Sequence, residues 1–240
     1  MFKRLGAFTG GWKKKAQSPL FAALGLILYA GLAPAAGFDC AKAVTLIEKM
    51  ICANPELSQL DTDLARYYLI ASGELEESKA CLKNDQLRWL KSVRNVCNDN
   101  ACLKTAYVNR LSELDGFQPG ASAIRYIELP GAPTLVWIIP PLKGITPSKT
   151  SVPLELIGKP GWAEDGSDVY SLKTKSGNTY LLDFPGLRDI KRDRFPELTN
   201  ERIARHENET PAFMIRGRGE LRSHEAYFDP AHCVFFYRMP

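Results

Sequence analysis

The chain has 240 residues, of which 45% are hydrophobic and 24% charged, with a formal net charge of +4. That is too apolar and too evenly charged for a disordered chain, and long enough for one large or two small domains. Five of the 31 basic residues and none of the 27 acidic ones fall in 1–35, which leaves 26 basic against 27 acidic in the remainder. The basicity belongs to the N-terminus, so nothing points to the clustered positive face that nucleic acid requires.

The first 35 residues have the three parts of an export signal. Lys3, Arg4, Lys13, Lys14 and Lys15 precede an uncharged apolar run from Leu20 to Leu32, and Ala33-Pro34-Ala35 places small residues where a signal peptidase reads. The run is shorter than the roughly 20 residues of a spanning helix. Cleavage after Ala35 is therefore expected, with membrane contact only through the transient signal. Gly37-Phe38-Asp39 before Cys40 does not resemble a lipobox.

Residues 36–116 read as helical. Thr45-Leu46-Ile47-Glu48 is a capping box, so a helix is expected from Leu46 to about Cys52. Asn54-Pro55-Glu56 starts a second helix with a cap, an N1 proline and an early acid. Leu57, Leu60, Leu64, Tyr67, Tyr68 and Ala71 follow helical spacing, and Gly73 reads as its stop. Adjacent Tyr67 and Tyr68 cannot both face inward. A third helix is expected over about Glu74–Cys97, with Leu82, Gln86, Trp89, Leu90, Val93 and Cys97 on one stripe. After the polar turn Asn98-Asp99-Asn100, a fourth carries Leu103, Tyr107, Leu111 and Leu114.

All six cysteines lie beyond the signal, and an even thiol count in an exported chain points to disulfides. In one continuous helix Cys40 and Cys52 would stand about 18 Å apart, whereas a disulfide needs Cα atoms within about 7 Å. The break at Thr45 lets the preceding segment fold back and brings that bridge within reach. Cys97 and Cys102 face each other across a short turn, and a bridge there would pin the third and fourth helices into a hairpin. Cys81 and Cys233 are expected to pair, since two free thiols are unusual in an oxidising compartment. Fifteen connectivities remain formally open.

These residues carry a family resemblance. Phe38-Asp39-Cys40-Ala41-Lys42-Ala43, Glu48-Lys49, Ile51-Cys52-Ala53, Pro55-Glu56-Leu57 and Leu60-Asp61 are followed by Gln86, Trp89-Leu90, Arg94-Asn95, Cys97, Cys102-Leu103, Tyr107, Arg110-Leu111 and Leu114. In that order they resemble the LprI-type lysozyme-inhibitor family, over about a third of the chain. The family often places proline where Leu46 stands, a change that leaves the fold intact, and Cys81 and Cys233 look additional to its four thiols. The resemblance implies a small disulfide-linked helical bundle and, as partner, lysozyme or another cell-wall hydrolase.

Composition shifts near Gly116 toward proline and β-branched runs. Residues 117–150 read as a linker or β-arm and 151–240 as a β-rich domain, making the chain α+β. Strands are expected over Ile124–Leu129, Leu135–Ile139, Val152–Ile157, Val169–Lys173, Thr179–Asp183, Ala212–Arg216, Leu221–Tyr227 and Cys233–Met239, with a short helix over Leu198–His206. Lys175-Ser176-Gly177-Asn178 is a hairpin signal. From about Pro153 this order suggests a small five-stranded barrel of OB-like type.

No reaction is visible. His206, His224 and His232 have no zinc-ligand spacing, and His232 and Cys233, as strand neighbours, point to opposite faces. Arg216-Gly217-Arg218-Gly219 reads as a β-turn with solvated arginines. Asp61, Asp63, Glu74, Glu76 and Glu77 lack the signs of a glycosidase pair and read as solvated helix carboxylates. Asp61 and Arg94 also fall beside apolar stripes, where an ion pair between helices is expected. No catalytic residue, metal or cofactor is called for. The expected function is that of a periplasmic or secreted binding protein, an inhibitor of lysozyme-type hydrolases, with the same five carboxylates as its docking edge. The alternative is a two-domain cell-envelope module whose β-domain binds a peptide, glycan or envelope protein while the helices act as scaffold.

Overall fold

A computed structural model describes residues 37–119, 124, 126–162, 170–183 and 211–240. The export signal, the expected helix over Leu198–His206 and His206 itself lie outside the described residues. Among the described residues four helices come first: α1 (Leu46–Ala53), α2 (Pro55–Glu74), α3 (Lys79–Ser92) and α4 (Asn100–Leu114). The expected starts are present. Thr45 accepts from the Glu48 amide while Glu48 reaches back to Thr45, and Asn54 accepts from the amides of Glu56 and Leu57. Tyr67 is fully buried and Tyr68 only half-buried, as their adjacency demands.

Two boundaries differ from the expectation. α2 runs through Gly73 to Glu74, because Ala71, Ser72 and Leu75 on either side are buried and the exposed glycine costs the helix only about 1 kcal/mol. The expected third helix is shortened at both ends. Glu76–Ser78 forms a 3-10 turn in which the Ser78 hydroxyl donates to the Ile138 carbonyl at 2.6 Å, and Arg94–Val96 forms another just before Cys97. Val93 is consequently exposed rather than on the buried stripe.

Seven described strands follow: β1 (Thr134–Ile139), β2 (Val152–Trp162), β3 (Tyr170–Thr174), β4 (Thr179–Asp183), β5 (Phe213–Arg222), β6 (Glu225–Phe228) and β7 (Val234–Arg238). β2, β3, β4, β6 and β5 pair in a closed ring, β5 returning to β2. The β4–β6 pair is parallel and the others antiparallel, which makes a five-stranded mixed barrel in the OB-like order. One edge of β5 is shared: Phe213–Arg216 pairs with β7 and Gly219–Arg222 with β6. β1 pairs with β7 and extends the sheet.

Three expectations fail here. Leu221–Tyr227 is not one strand: a turn at Ser223-His224 leaves Leu221 and Arg222 at the end of β5 and starts β6 at Glu225, so the two segments pair with each other. The described residues of Ile124–Leu129 form no strand; Ile124, Ile127 and Leu129 pack as coil against the helical core, and Pro130 offers no amide to a ladder. Arg216-Gly217-Arg218-Gly219 is not a turn but the middle of β5. Its glycines permit close approach: a Cβ on Gly219 would collide with the Tyr227 carbonyl oxygen, and one on Gly217 would crowd Phe228.

β7 joins the two halves. Val234-Phe235-Phe236-Tyr237 is an unbroken buried run because both of its faces are covered. Phe235 and Tyr237 join Leu135 and Ile138 in the core beneath the helices, while Val234 and Phe236 join Ile139, Leu156, Ile215 and Phe228 in the barrel core. The helical and β-rich parts belong to one compact unit. Three disulfides close it, with the expected partners: Cys40–Cys52, Cys97–Cys102 and Cys81–Cys233, the last spanning 152 residues from α3 to the start of β7.

Candidate functional site

Asp61 and Asp63 sit two residues apart on α2, and neither is the solvated carboxylate the sequence suggested. Asp61 is 9% exposed and Asp63 6%. Asp61 Oδ1 accepts from the Tyr107 hydroxyl of α4 at 2.5 Å, and Oδ2 accepts from the Gly37 amide at 2.8 Å. Arg94 Nη1 stands 3.8 Å from Oδ1, the expected inter-helix ion pair. Burial, then the Asp61 charge, pushes the Tyr107 phenol well above its ordinary range. Asp63 accepts from Tyr126 at 2.5 Å, Arg66 at 2.9 Å and Gln59 at 3.1 Å. Burial and the Asp63 hydrogen bond raise the Tyr126 phenol in turn.

Beside Asp61 a cleft of about 210 Å³ opens between α2 and α3. Phe38, Leu64, Ala65, Tyr68, Trp89 and Leu90 form its apolar walls, and Asp61, Gln86 and Arg94 supply its polar groups. Trp89 is held by an edge-on contact with Tyr107, ring centroids 5.6 Å apart. The sequence signals for this cleft were the stripe positions Gln86, Trp89 and Leu90; nothing in the spacing announced a cavity.

Glu74, Glu76 and Glu77 are exposed, as expected. They surround the α2–α3 turn, whose backbone is anchored by Leu75, 2% exposed, and by the Ser78 bond to Ile138 of β1. The five predicted carboxylates therefore separate into two internal ones and three displayed on a fixed turn.

A second charged cluster escaped the sequence reading. Asp85 of α3 and Arg110 of α4 are 5% and 2% exposed, and Arg110 Nη1 lies 2.9 Å from Asp85 and 2.6 Å from Glu113. Arg110 Nε donates to Gln86 Oε1 at 3.0 Å. From β5, Arg216 reaches Asp85 at 3.2 Å, donates to the Tyr237 hydroxyl, and stacks over the rings of Phe235 and Tyr237. Burial works against the Arg110 cation, but Asp85 and Glu113 outweigh it and raise its pKa. A signal did exist: Leu82, Asp85 and Trp89 fall at i, i+3 and i+7, as do Tyr107, Arg110 and Leu114. This is an interface between helices and sheet rather than an open site.

His224 is exposed, and His232 Nε2 lies 3.7 Å from Asp229. Cys233 is consumed in its disulfide. Among the described residues no three His, Cys, Asp or Glu side chains converge as metal ligands, and no helix is long and apolar enough to cross a membrane. No family model, curated protein or solved structure matches the chain.

Proposed function

We propose that this is an exported binding protein, periplasmic or secreted, which inhibits a cationic cell-wall hydrolase of lysozyme type. The supporting observation is the anchored turn that displays Glu74, Glu76 and Glu77. A docking group gains affinity when its backbone is already ordered, and complementary charge speeds encounter with a basic partner. Three disulfides suit an oxidising compartment. Residues 36–118 carry ten basic and twelve acidic side chains, a balance compatible with such a target. The LprI-type resemblance of the same segment points the same way. In this reading the protein binds and does not catalyse.

The test is a titration of the oxidised protein against lysozymes in a cell-wall clearing assay. Inhibition is expected to weaken with salt. It is also expected to fall about tenfold or more when Glu74, Glu76 and Glu77 are all changed to Gln. No inhibition at micromolar excess removes the proposal, and clearing by the protein alone would make it a hydrolase. A second reading, an envelope module that binds through the barrel, draws on the OB-like strand order, since such barrels bind oligosaccharides. Envelope binding that survives the triple Gln change would favour it.

A further inference from the structure

We infer that the cleft between α2 and α3 is a binding site for one N-acetylhexosamine ring, recognised through its acetamido group. This does not rest on the inhibitor reading, because the cleft and the glutamate turn use different residues.

Size sets the first limit. At about 210 Å³ the cleft is smaller than the roughly 300–1,000 Å³ of sites for drug-sized ligands, so it suits a single ring and not an extended chain. Charge sets the second. Asp61 and Arg94 lie 3.8 Å apart at the polar end and cancel, so an anion meets Asp61 and a cation meets Arg94. A neutral ligand meets neither penalty.

Hydrogen bonding narrows the class. The Gln86 carbonyl is held by Arg110 Nε, which fixes the amide so that its NH₂ is the uncommitted end. Arg94 Nε is engaged by Asn95. Arg94 also hydrogen-bonds the Tyr107 phenol, whereas among the described residues no protein partner takes Gln86 Nε2 or the Tyr68 hydroxyl. The cleft thus offers spare donors, and the matching group is a carbonyl acceptor. Asp61 holds one donor on each oxygen, from Tyr107 and Gly37, and a carboxylate has about four acceptor positions, so it can still take an N–H or O–H. Around this centre, Phe38, Tyr68, Trp89 and Leu90 provide apolar and aromatic surface for an acetyl methyl and the C–H face of a sugar. The polar centre is preformed: Asp61 is fixed by two hydrogen bonds, and Arg94 opens the short turn that ends at the Cys97–Cys102 bridge.

The test is heteronuclear NMR on the full oxidised protein, following the Trp89 indole and Gln86 side-chain signals. The probes are N-acetylglucosamine, glucose, glucosamine and N-acetylalanine amide. N-acetylglucosamine is expected to give saturable shifts with millimolar affinity, and the other three much weaker ones. Tyr68→Phe should weaken binding about twofold to tenfold, and Arg94→Met about tenfold or more. Ala65→Phe, which fills the cleft from an exposed position, should abolish the shifts while thermal unfolding stays near wild type. Absence of saturable shifts overturns the inference, as does undiminished binding in Ala65→Phe. Tighter binding of N-acetylalanine amide than of the sugar would overturn it in favour of a peptide ligand.

Discussion

The helical part and the barrel dispose of charge in opposite ways. Asp61, Asp63, Asp85 and Arg110 are all nearly inaccessible within α2, α3 and α4, whereas no charged side chain of a described strand is buried. The period of each element explains this. A strand alternates, so every second side chain points outward and a charge can leave the core without disturbing its neighbours. A helix packed on several sides has a wide inward stripe, and a position such as Asp85 or Arg110 within it must find a partner. Such pairs add little net stability, but removing one member leaves an expensive orphan. The helical unit is therefore fixed by pairing, and the barrel by close backbone approach and apolar fit.

The Cys81–Cys233 staple ties these two designs together, and removing it is the largest way to break the comparison. Changing both residues to Ser should cost on the order of 5 kcal/mol in the chain-entropy description, because the bridge closes 152 residues of chain. Urea unfolding followed by helix and strand signals separately should then lose its single transition. Next comes Arg110→Met, which leaves Asp85 buried beside only Arg216 and the exposed Arg88. It should cost about 3–5 kcal/mol in the same measurement. A cost below about 1 kcal/mol would show that pairing does not fix the helical unit.

Gly219→Ala probes the barrel's own principle. The added Cβ must displace the Tyr227 carbonyl, at a cost of about 1–3 kcal/mol, and should loosen β5–β6 amides to hydrogen exchange before it touches the helices. The smallest effect concerns Asp229 in the turn after β6. Burial pushes its carboxyl up, but the amides of Ala231 and Ser148 and nearby His232 outweigh this, so its folded pKa lies below the ordinary one. Its contribution is complete above the unfolded value of about 3.9 and drains away as pH falls through the lower folded value. Urea midpoints should therefore fall less steeply with acid below about pH 4 in Asp229→Asn than in wild type.

Much of the fold was legible because local chemistry declared it. The Thr45–Glu48 box, the Asn54-Pro55 start and the Leu103–Leu114 stripe need only neighbours in sequence, and so do the two short disulfides. The five-stranded barrel was suggested by the order of strands with a helical insertion before the last ones, though which strands pair was not. What could not be read depends on distant contacts. Gly217 and Gly219 resemble turn residues until Phe228 and Tyr227 are seen pressing on them. Ile124–Leu129 has strand composition but pairs with no described strand. Asp61 looked half-solvated because the donors that make its burial tolerable, Tyr107 and Gly37, come from other segments. The cleft was invisible for the same reason, being a gap between two helices whose spacing no single stripe encodes.

The strand Val234–Arg238 has one last consequence, for the order of events at the ribosome. Its five residues emerge after the four described helices and the other six described strands. Until then Leu135 and Ile138 lack their cover on one side and Ile215 and Phe228 lack theirs on the other. Without that strand both greasy surfaces stay open, so a premature stop before residue 234 is expected to expose apolar area on the helical and the barrel side alike.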